Sequence, residues 1–420
     1  MFATLSAVFW GILTFSILVI LHEGGHFLTA RAFGVHVHEF MVGLPGPAVR
    51  FQGKKTAYGV TAIPLGGYVR ISGMEPGPED PRLGAALEFV TRVGSATSST
   101  LAEELGIDTD DASALLVTLA DWNAVDVASD DEDEFLAKFP PSAAEDPVAL
   151  LDAARATTYR GLSTIKRIVV LSAGVFVNLV SAVLVFVLVL TLYGVPQQTL
   201  TVENVLPGGG AAAAGIQPGD TVRAFGGAQL KDWSALLSSL AKRKPGDVLA
   251  VTVERNGASV TKTVTLGKNE AGGAQLGIGV TQIRVRLSLG SALKDSFTWI
   301  GLVFKAIAGF FNPGTFKTSV SQSSSVVGIA VEVSRAAKAG PIDYAFIVAL
   351  LSLSLGVMNI LPIPPLDGGK IALEIWEAAL GRPLSRNFAI GLSATGTLLL
   401  LTFIGYLMYS DVMKYVVHGG

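Results

Sequence analysis

Four long stretches without a single charged residue limit what this chain of 420 residues can become: 1–21, 168–195, 344–366 and 387–410. Each is close to or above the roughly 20 residues that cross a hydrocarbon core as a helix. A bilayer offers the backbone no hydrogen-bond partners. Only helices and closed barrels therefore span it, and continuous apolar runs of this length select helices. Only 15% of the residues are charged, which is sparse for a soluble domain. The first run has no basic segment before it and no small-residue cleavage site after it, so it is expected to remain as a span. The chain has no cysteine, so any metal must be held by His, Asp or Glu.

The formal charge of −3 hides a division. Residues 79–160 carry 18 acidic and 5 basic side chains, a net of −13 that leaves the rest of the chain at +10. That segment reads as a separate, solvated unit. Basic residues also set the orientation. Arg160, Lys166 and Arg167 precede the second run, and Lys370, Arg382 and Arg386 lie between the third and fourth. By the positive-inside rule these two loops are cytoplasmic, and both termini and the loop 196–342 are outside. The first and third spans then run the same way, so motifs at their C-terminal ends share one depth.

Those ends are not apolar. The first run leads into "HEGGH" and the third ends in "NILPIPPLDGG". On a helix, His22 and His26 project from one face. Two imidazoles at that spacing are half of a tetrahedral zinc site, with Glu23 beside it as a base for water. Ionisable groups at membrane depth are expensive and usually functional. A catalytic zinc also needs a third ligand, and Asp367, between broken prolines and two glycines, is the leading candidate. Asp367 also reads as the N-cap of a helix starting near Lys370. In "FGVHVHEF" the alternation gives a strand with His36 and His38 on a solvated face; Glu39 is another nearby candidate, and Glu75 reads as a loop carboxylate.

The segments "LHEGGHFLTARAFGVHVHEFMVGLPGP", "AIPLGGYVRISGM", "KRIVVLSAGVFVNLVSA", "PGGGAAAAGIQPGD" and "LGVMNILPIPPLDGGK" follow one another as in bacterial site-2 proteases. The chain resembles the RseP-like intramembrane zinc metalloproteases with one PDZ domain. The resemblance covers nearly everything except 79–160. It implies Zn2+ held by His22, His26 and Asp367, Glu23 as the base, and site-2 cleavage of single-span membrane proteins such as anti-sigma factors in envelope stress signalling. It also implies that Asn359 helps position the substrate backbone; a buried amide tying down the unwound helix end is an equal reading of that residue. Asn178 matches another asparagine of the family, although glue between helices is the better reading of it. The family places the sheet around Gly66 and Gly67 against the active site, where a free edge could hold substrate extended. Val175 stands where the family has proline in A-G-P-x-x-N, and Ser325-Val326 replaces its Gly-Pro.

The expected fold class is a polytopic α-helical membrane protein with four transmembrane helices, a membrane-associated β-sheet, an extracytoplasmic PDZ domain and a cytoplasmic acidic helical insertion. The first transmembrane helix occupies 1–30, the β region 31–78 and the insertion 79–160, whose acidity argues against nucleic acid. The second transmembrane helix is 161–196. The PDZ domain, 197–285, has a hairpin at Asn256-Gly257 and would capture a peptide or ectodomain. The segment 286–342 includes an amphipathic helix resting on membrane lipid. The third transmembrane helix and its L-D-G motif are 343–370, a cytoplasmic loop or helix 371–386, the fourth transmembrane helix 387–410 and a short tail 411–420. The location implied is the bacterial cell membrane, multi-pass, with the PDZ domain outside and 31–160 inside.

Overall fold

The computed structural model describes residues 2–63, 66–75, 77–128, 131–269 and 272–413; most of the expected C-terminal tail lies outside them. Two compact units are present, one made of Met1–Phe186 with Leu293–Gly420 and the other of Val187–Ala292.

Among the described residues, four helices are long and apolar enough to cross a membrane: Leu5–Ala32, Thr164–Leu192, Pro341–Ile360 and Arg386–Asp411. They are called here the first to fourth apolar helices. The first continues unbroken through "HEGGH" to Ala32, so both histidines sit on regular helix. The third stops at Ile360, where the prolines at 362, 364 and 365 deny the backbone its donors. The chain then loops back and starts a new helix, Asp367–Leu380, at Asp367 itself and not near Lys370.

Beyond the first helix, β1 (Val37–Val42), β2 (Ala48–Gln52), β3 (Ala57–Thr61) and β4 (Gly67–Ile71) form a sheet in the order β2-β3-β1-β4. β1 runs parallel to β3 and antiparallel to β4. Val35 and Val37 are buried beneath it, as alternation requires. The histidines between them are not on a solvated face. His36 and His38 are half-buried, and His38 Nε2 bonds the carbonyl of Asp121 at 2.7 Å. The insertion covers that face, which a single strand's pattern could not reveal.

The acidic insertion folds around its own core, with Leu87, Val90, Leu101, Leu116, Leu119, Trp122 and Phe135 buried. Each fully buried leucine contributes about 1.5–3 kcal/mol. The helices Leu83–Val93, Ser98–Leu105, Thr109–Asp121 and Pro147–Ala156 surround a three-stranded ladder of 95–97, 134–137 and 125–127. Asp108 and Asp146 cap helices with their carboxylates, which favours acids at those N-termini.

The stretch 286–340, before the third apolar helix, holds more structure than one amphipathic helix. After Leu289–Ala308 comes Val326–Ala339, which lies against the first apolar helix, with Ser6 and Ser334 hydroxyls 2.9 Å apart. A methyl on Gly11 would meet Ala330, so the two helices approach through glycine.

The smaller unit is a sheet of Ala258–Thr265, Val248–Arg255, Thr221–Phe225, Val195–Val205 and Ile278–Val285 in that order, with helices Gly210–Ala213 and Trp233–Leu240. Val202, Val222, Leu236, Val251, Val253 and Val264 fill its core. Asn256 and Gly257 both have positive φ and join paired Arg255 and Ala258 by a two-residue turn. Asp220 is buried and clamped by Arg255, Nε to Oδ1 and Nη2 to Oδ2, both at 2.7 Å.

Candidate active site

His22 and His26 face the second apolar helix. Asp367 arrives opposite them because its helix starts there; Gly368 and Gly369 sit where a methyl would strike the backbone of Ile360 and Pro364. The three side chains are buried, at 7%, 6% and 6% exposure. His22 Nε2 lies 2.9 Å and His26 Nε2 3.2 Å from Asp367 Oδ2, and the two Nε2 atoms are 3.4 Å apart. Donors on a tetrahedral zinc, at about 2.0–2.1 Å from the ion, stand roughly 3.3 Å from one another. The triangle therefore has the size one zinc requires, and two imidazoles with one carboxylate suit zinc better than magnesium or calcium. Among the described residues it is the one buried His/Asp/Glu group of this kind. Asp367 spends its side chain on the imidazoles; Leu366 occupies the N-cap position.

Each imidazole is oriented from behind. His26 Nδ1 donates to the carbonyl of Val170 on the second apolar helix at 2.8 Å. His22 Nδ1 lies 3.2 Å from the amide of Asn178, which is fully buried. With Nε2 free to ligate, His22 carries its proton on Nδ1, so the amide must accept. Asn178 Oδ1 is a buried oxygen without a hydrogen-bond partner. Rotating the amide end for end gives that oxygen the Nδ1 proton and turns the amide nitrogen to the other position. Asn178 thus touches a candidate ligand; its backbone carbonyl does the gluing, accepting from Ser352 on the third apolar helix at 3.0 Å.

A cavity of about 50 Å³ adjoins the triangle, lined by Glu23, His26, Val69, Ile71, Met74, Asp367 and Lys370. It has room for a water, whose share of the liquid is about 30 Å³. Val69 and Ile71 belong to β4, which pairs only with β1, so its outer edge is open among the described strands.

Other sequence candidates stand elsewhere. Asn359 is buried at the end of the third apolar helix and donates to the carbonyl of Leu355, and it does not line the cavity. Gly66 takes φ of +86°, and a methyl on Gly67 would come within 2.6 Å of Val19 and 2.8 Å of the Met41 carbonyl. These glycines let β4 lie against the first helix. Glu39 accepts from Tyr68 at 2.9 Å, and Glu75 binds Arg160 through its backbone.

Three contributors escaped sequence reasoning. Gly174 stands where a methyl would come within 2.5 Å of His26 Nε2 and 2.8 Å of His22 Cε1, so the second apolar helix makes room for both rings. Lys370 places Nζ 3.7 Å from Asp367 Oδ1. Glu374, two turns beyond Asp367, accepts from Tyr159 at 3.1 Å and pairs with Arg167 at 3.0 Å. Burial pushes its carboxyl up, and Arg167 opposes that shift. This cluster holds the Asp367 helix to the start of the second apolar helix. The helical spacing of Glu374 from Asp367 was the available signal.

The model of peptidase family M50 matches residues 10–403. The zinc metalloprotease RasP of Geobacillus kaustophilus is 28% identical over 424 residues, spanning 99% of this chain and 100% of that protein. The probable protease eep of Enterococcus faecalis is 27% identical, over 96% of this chain and 98% of that protein. A putative zinc metalloprotease of Fusobacterium nucleatum is 28% identical, over 95% and 96%. Among solved structures, the PDZ domain of an SdrC-like protein from Listeria monocytogenes aligns at 18% identity and a TM-score of 0.19, covering 21% of this chain and 92% of that one.

Proposed function

The chain belongs to peptidase family M50, and from that premise we propose that it is an intramembrane zinc metalloendopeptidase. It performs site-2 cleavage of single-span membrane proteins, anti-sigma factors among them, in envelope stress signalling. It sits in the bacterial cell membrane with 31–160 inside and a peptide-binding PDZ domain, 197–285, outside. The observation that carries the reading is the buried triangle of His22, His26 and Asp367 beside Glu23.

His22, His26 and Asp367 would hold the zinc, which when bound supplies a Lewis acid for the scissile carbonyl and makes water acidic. Glu23, on the turn between the two imidazoles, takes the proton of the attacking water and hands it to the leaving amine. Val170 and Asn178 fix the imidazole tautomers. The open edge of β4, whose Val69 and Ile71 line the cavity, pairs with substrate unwound into an extended strand, since a helical peptide bond is shielded by its own hydrogen bonds. Gly66 and Gly67 seat β4 against the first apolar helix, and Asn359 stands where the third apolar helix gives way to the loop before Asp367, so that these residues position substrate.

The test is Glu23→Gln in cells carrying a tagged single-span substrate. Cleavage is expected to fall by about 10²–10⁴-fold while the protein accumulates normally and retains its metal. Wild-type cleavage would remove Glu23 from the chemistry.

A further inference from the structure

At the C-terminal end of the first apolar helix, beyond the candidate zinc ligands, lies a separate hollow of about 480 Å³. Arg31, His36, Lys54, Lys55 and Lys138 stand in its wall, with Asn123 and Thr157 as the uncharged polar groups, and no carboxylate among the described residues lines it. The acidic insertion supplies part of this wall, yet none of its described acidic residues lines the hollow. Lys138 is neutralised by Asp126 at 2.8 Å and donates to Asn123 at 2.6 Å. Arg31, Lys54 and Lys55 make no ion pair among the described residues. Arg31 donates to the hydroxyl of Thr56 at 3.2 Å and rests over the ring of Phe27. His36 senses the excess. Burial first, then His38, Lys138, Arg31 and Lys55, lower its pKa to about 4. Such a concentration of uncompensated cations around a concave wall is a site for an anion.

Depth and surroundings narrow the anion. Arg31 lies in the last turn of the helix, nine residues past His22 and about 13 Å farther along the axis at 1.5 Å per residue. That is the level of lipid headgroups if the apolar part of the helix fills the hydrocarbon core. Lys54 and Lys55 sit in the turn joining β2 to β3. On those strands Val49 and Phe51 are 67% and 68% exposed, and Leu28 on the helix is 65% exposed. Cations beside bare apolar side chains suit a ligand with a phosphate head and apolar tails.

We propose that this hollow binds a phosphate group at the membrane surface, supplied by an anionic phospholipid, and that the bound headgroup ties the first apolar helix, the β2–β3 turn and the acidic insertion together. The proposal shares with the proposed function only the placement of the first apolar helix in a membrane.

Native mass spectrometry of the full chain released from detergent tests it, with phosphatidylglycerol or phosphatidylcholine added. Lys54→Gln/Lys55→Gln is compared with Lys242→Gln/Lys244→Gln, an equal loss of charge in the smaller unit. Phosphatidylglycerol adducts should exceed phosphatidylcholine adducts. They should weaken on the order of tenfold in the first variant and stay unchanged in the second. Millimolar inorganic phosphate identifies the source: adducts that resist it mark a lipid site, and adducts that it displaces mark a site for free phosphate. Equal retention of the two lipids, or equal loss in both variants, would overturn the site. Peptidase activity does not enter the readout, so failure here leaves the proposed function standing.

Discussion

Two imidazoles can turn toward one carboxylate oxygen only if the neighbouring helix leaves room, and at Gly174 it does. Gly174→Ala puts a methyl within 2.5 Å of His26 Nε2. The rings must give way, because the helix backbone cannot, and overpacking of this kind typically costs about 1–3 kcal/mol. We expect the alanine variant to fold and to lose most of its zinc, as measured by elemental analysis of purified protein; full zinc content would show that the rings have slack. Asn178 acts from the other side. Asn178→Ala should weaken zinc binding by about 10–100-fold in a chelator titration, the usual cost of a lost partner behind a metal-ligating histidine. Asn178→Asp, still an acceptor for the Nδ1 proton, should recover part of that loss. A role confined to gluing helices predicts that both variants lose stability and neither shifts zinc affinity. Sequence reasoning put His22, His26 and Asp367 at one depth, from helical spacing and the direction of two spans. It missed Gly174, because a glycine in a membrane helix has many uses and its neighbour cannot be read from one chain.

Among the elements, the smaller unit shows what a local motif can announce. Asn256-Gly257 forecast a tight turn, and its positive φ values belong to that turn type. In the turn at "PGD", residues 218–220, no local signal announces that Asp220 is the buried partner of Arg255. Arg255 holds the Asp220 carboxyl below the usual carboxylate range. A depressed folded pKa gives stability that is fully present above the unfolded value of about 3.9 and is lost as pH falls through the folded value. Hydrogen exchange of the Val248–Arg255 strand should therefore be flat from neutral pH down to about 5 and quicken, beyond its intrinsic rate change, below about 4. Asp220→Asn should exchange faster at neutral pH and lose that acid step. An unchanged acid step in the variant would assign it to other carboxylates. The insertion was harder to read. Its composition gave charge and helical periodicity, but the docking of Asp121 onto Ser72, Gly73 and His38 joins residues far apart in sequence. The expectation of solvated histidines failed for that reason.

For the whole molecule, orientation rests on Arg160, Lys166, Arg167, Lys370, Arg382 and Arg386, a charge asymmetry no contact reports. The absence of native cysteine makes it testable without background. Ser259→Cys in the smaller unit and Ser99→Cys in the insertion are both at exposed positions. In intact cells an impermeant maleimide should label the first and spare the second until the membrane is opened. Labelling of both or neither would end the assigned topology. The central claim is that one zinc is shared by the ends of two separate helices, with Glu23 beside it and not among its ligands. Zinc content of the purified full chain measures this directly. Wild type and Glu23→Gln should each carry about one zinc per chain, and Asp367→Ala should carry little; undiminished zinc in Asp367→Ala, or none in Glu23→Gln, would contradict it.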